Sequence, residues 1–174
     1  LRYQLWPHIN EALRGQGNKD SECHIYGAYM DAIMERLNNP SIGFHIKGRV
    51  DDVFSTMAAY RVLLAPLRFG AGVKGKILDA ISMELPIVTT PIGSEGLSVH
   101  LDGVDFPGYV AKTVEEFKHS AVQCLSAYAL NRWEFPTQKS ELNERLDIEY
   151  GIRCVDRVKK MLQRKNSIMN PIKV

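Results

Sequence analysis

The chain has 174 residues, 45% of them hydrophobic and 24% charged, a composition of one globular domain rather than a disordered segment. With 22 Lys and Arg against 20 Asp and Glu the net charge is +2, which supplies no field for a polyanion and argues against nucleic acid as a partner. Its three cysteines, Cys23, Cys124 and Cys154, form no C-x-x-C pair and no zinc-like spacing, so reduced thiols in a cytoplasmic protein are expected. No apolar run reaches the about 20 residues of a membrane span. The chain opens at Leu1, with neither Met nor a charged-then-apolar leader, and reads as a fragment.

Leu5, Ile9, Ala12 and Leu13 recur at helical spacing and predict a first helix closing near Gly15-Gln16-Gly17. His24 to Ala28 reads as a short buried strand. Met30, Ile33, Met34 and Leu37 form a second helical stripe, stopped at Asn38-Asn39-Pro40. Phe44 to Gly48 alternates like a strand, and Asp51-Asp52 can cap a short helix through Met57. Arg61 to Pro66 is a strand, followed by a glycine loop from Phe69 to Gly75 and a helix from Lys76 to Glu84. Pro86 to Thr90 is another buried strand, closed by Pro91-Ile92-Gly93. Beyond Gly96 the pattern weakens: an edge strand within Asp105–Lys112, a helix over Val114–Tyr128 and a C-terminal helical segment over 139–166. Strands alternating with helices predict a single α/β domain over 1–174, a Rossmann-like, doubly wound and mainly parallel sheet.

The stretch Arg68-Phe69-Gly70-Ala71-Gly72-Val73-Lys74-Gly75-Lys76 carries the chemistry. Lying between a strand and a helix, it falls at the carboxyl edge of the sheet, where such folds bind ligands. The glycines let backbone N–H groups approach an anion, and the next helix aims its unpaired N–H groups at the same place. Arg68, Lys74 and Lys76 add positive charge. These features together make a phosphate or pyrophosphate cradle, against the plainer reading of a solvated turn. Gly70, Gly75 and Lys76 also fit the start of a nucleotide-hydrolase P-loop, but Ile77 stands where that motif needs a magnesium-binding Ser or Thr.

The run Leu64 to Lys76, with Leu78-Asp79-Ala80, Leu85 to Thr90 and Gly93-Ser94-Glu95-Gly96-Leu97, resembles the nucleotide-sugar-binding half of group 1 glycosyltransferases. Gly48-Arg49-Val50-Asp51-Asp52 is similar to that family's glycine turn beside the donor base. The likeness spans about Leu5 to Leu97 and fades beyond Val114. It implies a retaining enzyme of the two-domain GT-B architecture, with a nucleotide-diphosphate sugar as substrate, no cofactor and no metal. It also implies donor contacts at Arg49, Val50, Gly70, Ala71, Gly72, Val73 and Lys74, with Lys74 supporting the leaving diphosphate. Asp79 would take the ribose hydroxyls, a role the family gives a Glu, although compensation of the helix dipole explains the same residue. Glu95 would approach the donor or cap the following turn. Ala71 stands where the family often carries a sugar-contacting Glu, which leaves the sugar unread and keeps open a non-catalytic binding or interaction module on a degenerate transferase fold. An epimerase on the same architecture lacks placeable acid and base residues.

Other residues read as structural. His24 and His45 are satisfied core histidines, while His100 and His119 have no sequence partners. Trp6, Tyr128, Trp133 and Phe135 are packing residues, and Arg157, Lys159, Lys160, Arg164 and Lys165 are a solvated helix face. The doubly wound order also calls for a central strand ahead of the first helix. Without it, the strands at His24–Ala28 and Arg61–Pro66 would flank a gap. An N-terminal acceptor domain upstream is the corresponding expectation.

Overall fold

The computed structural model describes residues 1–97 and 106–129. The expected segment over 139–166, Trp133, Phe135, His100, Cys154 and the basic run all lie outside the described residues.

The first helix, α1 (Trp6–Gly15), takes Pro7 in its opening turn, where the missing N–H costs nothing. It buries Trp6, Ile9 and Leu13 on one stripe. Asn10 is buried there as well, while Ala12 is exposed and lies off the stripe. Asn10 Nδ2 donates to the Ile42 carbonyl at 3.0 Å, which also accepts Trp6 Nε1–H at 2.7 Å, while the buried Asn10 Oδ1 has no hydrogen-bond partner among the described residues.

β1 (Cys23–Tyr26) runs parallel to β2 (Phe44–Gly48), Cys23 opposite Phe44 and His24 opposite His45. Between them, α2 (Ala32–Glu35) is a single turn capped by Asp31, whose Oδ1 accepts the Met34 N–H at 2.7 Å. The stripe predicted over Met30–Leu37 is therefore not a buried helix face: no residue of α2 is buried and Ile33 is 70% exposed. An antiparallel bridge between Asn39 and Phe44, with a 3-10 turn at Pro40–Ile42, turns the chain straight back into β2 and leaves no room for a longer helix.

Asp52 caps α3 (Val53–Met57) through Oδ1, which accepts the Phe54 and Ser55 N–H groups. Next come β3 (Leu63–Ala65), α4 (Gly75–Ser82), β4 (Ile87–Thr89), β5 (Gly108–Val110) and α5 (Val114–Ala129). β3, β4 and β5 pair in that order, all parallel. Helices cover both faces. One core gathers Trp6, Ile9 and Leu13 of α1 with Phe117, Ala121 and Leu125 of α5 against Cys23, Phe44, Val62 and Val88. The second packs Ile77, Leu78 and Ile81 of α4 against Ala65 and Ile87, with Phe54 and Met57 of α3 at its border.

The arrangement is α/β and Rossmann-like, and its sheet is in two pieces. β1 and β2 form one, β3 to β5 the other, and β1 and β3 do not pair. The gap expected from the strand order stands open between these two strands.

Candidate functional site

β3 ends at Ala65, and its continuation reaches the glycine loop at the carboxyl edge of the three-stranded sheet. Gly70 and Gly72 hold φ of 124° and 68°, a region that side chains disfavour and glycine enters freely. A second loop packs on the first: a Cβ at Gly96 would lie 2.8 Å from Val73 Cγ2, so glycine there lets the turn after β4 close on the glycine loop. Leu97, fully buried, anchors that turn in the second core.

Lys74 occupies the cap position of α4 in extended conformation, and its side chain folds back over the loop rather than into solvent. The stem lies beside Gly70, Nζ donates to the Gly72 carbonyl, and Nζ stands 3.4 Å from Glu95 Oε2. The structure thus brings Gly70, Gly72, Val73, Lys74 and Glu95 together. Among the described residues Glu95 is the counter-ion of Lys74. Ala71 is exposed on the same loop.

Arg49 and Val50, just past β2, line a cavity between the two sheets, and Lys76 from the first turn of α4 lines it too. Ala71, Asp79 and Glu95 are not among its walls. Asp79 sits in the second turn of α4, half-buried, with no side-chain hydrogen bond or ion pair among the described residues. Burial pushes its carboxyl above the ordinary 3.8. A partly buried carboxylate without a partner carries a cost that a hydroxyl-bearing ligand would relieve.

The family model for group 1 glycosyl transferases matches residues 4–127, which takes in every element from α1 to β5 and most of α5. The chain belongs to the group 1 glycosyltransferases. No curated protein and no solved structure matches it. In this glycosyltransferase domain, no helix of the described residues is long and apolar enough to cross a membrane.

One polar cluster escaped the sequence reading. Glu22, His24 and His45 place their donor atoms within 4.8 Å of one another, a set that could converge on a cation. The groups already hold each other: Glu22 Oε2 pairs with His24 Nε2 at 2.8 Å, and His24 Nδ1 meets the Tyr60 hydroxyl at 2.5 Å. His24 is satisfied as expected. His45 is not, because its Nε2 is buried without a hydrogen-bond partner, 3.6 Å from Glu22 Oε1. Two signals point to the cluster: the alternation of Glu22 with His24, and the parallel register that sets His45 opposite His24. The thiols of Cys23 and Cys124 are free and buried, and burial pushes both up to about 12, so neither is a nucleophile at neutral pH.

Proposed function

We propose that this domain binds the nucleotide-diphosphate-sugar donor of a retaining glycosyl transfer, with the diphosphate seated on the loop Gly70–Lys74. The observation that carries the reading is Lys74. Its ammonium is drawn back over a glycine loop at the mouth of α4, partnered among the described residues by a backbone carbonyl and the half-exposed Glu95. An arriving diphosphate brings two negative charges spread over its oxygens, against the single charge of a carboxylate 3.4 Å away, and so displaces Glu95 from the ammonium. Backbone N–H groups of the loop and the N-terminus of α4 then share the charge.

In the transfer step this arrangement stabilises the diphosphate as it leaves, by charge and oriented dipoles. Arg49 and Val50 flank the base, and Asp79 accepts hydrogen bonds from the ribose hydroxyls. Freed from Lys74, Glu95 is positioned to meet the sugar. The acceptor and further catalytic groups belong to an N-terminal domain of a GT-B enzyme. Ala71 favours a second reading, a binding module without transfer activity, because no side chain there can hold sugar hydroxyls.

Isothermal titration with uridine, guanosine, adenosine, cytidine and thymidine diphosphates tests the binding claim. Saturable binding of at least one supports it. Absence of binding by all five, to protein whose circular dichroism reports an intact α/β fold, contradicts it.

A further inference from the structure

β1 and β2 present two unlike faces. Cys23, Ile25, Phe44 and Ile46 belong to the core under α1 and α5, as strand alternation requires. The opposite face gathers Glu22, one residue ahead of β1, with His24, and the parallel register sets His45 of β2 alongside His24. Glu22 spans both histidines, Oε2 at 2.8 Å from His24 Nε2 and Oε1 at 3.6 Å from His45 Nε2. The longer separation is no hydrogen bond, so the buried His45 Nε2 has no partner among the described residues. A buried ring nitrogen left in this way costs stability, and a cation between the three groups removes that cost.

The distances fit a tetrahedral ion. Ligand bonds of about 2.0 to 2.2 Å place neighbouring donor atoms about 3.3 to 3.6 Å apart. Glu22 stands 2.8 and 3.6 Å from the two imidazoles, and the three donor atoms lie within 4.8 Å of one another. The ring centroids of His24 and His45 are 5.0 Å apart with their planes at 78°. Two imidazoles bound through nitrogen to one tetrahedral ion have centroids about 5 Å apart. We propose that Glu22, His24 and His45 bind one divalent transition-metal ion of the zinc class on this face of β1 and β2.

Two imidazoles beside a single carboxylate suit such an ion better than magnesium or calcium, which take oxygen ligands. Three protein ligands leave a fourth position, and water reaches it because the Glu22 side chain is 37% exposed. Cys23 faces the core and takes no part. Lys47, whose charge reaches His24, is exposed and keeps its ammonium in water.

His24 is also held from behind. Its Nδ1 lies 2.5 Å from the Tyr60 hydroxyl, which lies 2.6 Å from the Tyr26 hydroxyl. Hydroxyls donate or accept, so this chain runs in either direction. When the groups pair among themselves, Nε2–H donates to the Glu22 carboxylate and Tyr60 donates to Nδ1. With an ion on Nε2, the ring proton sits on Nδ1 and donates to the Tyr60 oxygen. The Tyr60 proton then turns to Tyr26, and the proton of the exposed Tyr26 hydroxyl turns to water. An outer partner of this kind fixes the tautomer and orientation of a metal-binding histidine.

Calorimetric titration of Zn²⁺ into the untagged 174-residue chain should show one saturable site that excess Mg²⁺ does not compete for. In ¹⁵N spectra of the histidine rings, Zn²⁺ should shift Nε2 of His24 and His45 and leave His8, His100 and His119 in place. His45→Gln and Glu22→Gln should each weaken Zn²⁺ by at least tenfold while the circular dichroism stays that of the wild type. Absence of a saturable site, equal competition by Mg²⁺, ring shifts confined to the other histidines, or wild-type affinity in either folded variant would each overturn the proposal. The ring spectra are read on the wild-type chain and decide the case in which neither variant folds.

Discussion

Asp79 is a half-buried acid whose cost to the fold and use to a ligand can be measured separately. Its carboxyl is raised above 3.8 by burial, so the folded state holds its proton more tightly than the unfolded one. Any stabilisation from that proton is present below about 3.8 and is lost as the pH rises through the folded value, leaving a penalty at neutral pH. Asp79→Asn should therefore leave thermal stability at pH 7 unchanged or slightly raised. Asp79→Ala should weaken a nucleoside diphosphate by about tenfold or more, the scale of hydrogen bonds to a charged group, while inorganic pyrophosphate binds as before. Equal weakening of both ligands would show that Asp79 does not act on the ribose.

His24 makes the opposite pH prediction. Burial, with Lys47 and His45 adding to it, outweighs the Glu22 hydrogen bond and lowers the imidazole below 6.5. A lowered histidine contributes stability that is present above 6.5 and lost as the pH falls through its folded value. Urea unfolding at pH 7.5 and 5.5 should show the domain weakening on the acid side, by up to about 1.4 kcal/mol per pH unit for this one proton. His24→Asn, less stable at both pH values, should flatten that slope. An unaltered slope in the variant would assign the acid sensitivity elsewhere.

At the scale of elements, the carboxyl edge is set by β3, β4 and the turn that follows. Thr89 Oγ1 donates to the Ala65 carbonyl at 2.9 Å, and a Cβ at Gly93 would stand 1.9 Å from that same oxygen. Gly93→Ala should cost about 1–3 kcal/mol by overpacking, read as a lower urea midpoint, and should loosen the turn that carries Glu95. A neutral Gly93→Ala would mean that the turn relaxes freely and does not fix Glu95. The elements most legible in the sequence were those with local causes. Asp52 announced the start of α3, and the apolar run of Ile87–Thr89 announced a buried strand. The stripe Met30–Leu37 misled because its spacing is helical while its length was decided elsewhere, by the bridge from Asn39 to Phe44. Asn10 in the α1 stripe was equally illegible, since its partner, the Ile42 carbonyl, is distant in sequence.

For the molecule as a whole, the fold class followed from strands alternating with helices, and the break in the sheet followed from strand order. The glycine loop was legible for the same reason: its position between a strand and a helix determines which edge it occupies. What no local pattern contained was pairing between loops. Lys74 and Glu95 were each singled out, but their ion pair depends on Gly96 letting the later turn settle against Val73. The His24–Tyr60–Tyr26 chain likewise needs the two sheets in place before its partners meet.

Whether the loop is a diphosphate cradle is decided most directly by titrating the best-bound nucleoside diphosphate into the wild-type chain and into Lys74→Ala. The Lys74–Glu95 pair is partly exposed and worth at most about 1 kcal/mol, so the variant should keep its Tm nearly unchanged. A charge-assisted contact to phosphate contributes about 1.5–3 kcal/mol, so affinity should fall roughly ten- to a hundredfold. Lys76→Ala, altering a residue of the cavity wall rather than the loop, should weaken binding less. Equal small losses from both lysines, or a large loss of stability from Lys74→Ala with binding intact, would contradict the assignment.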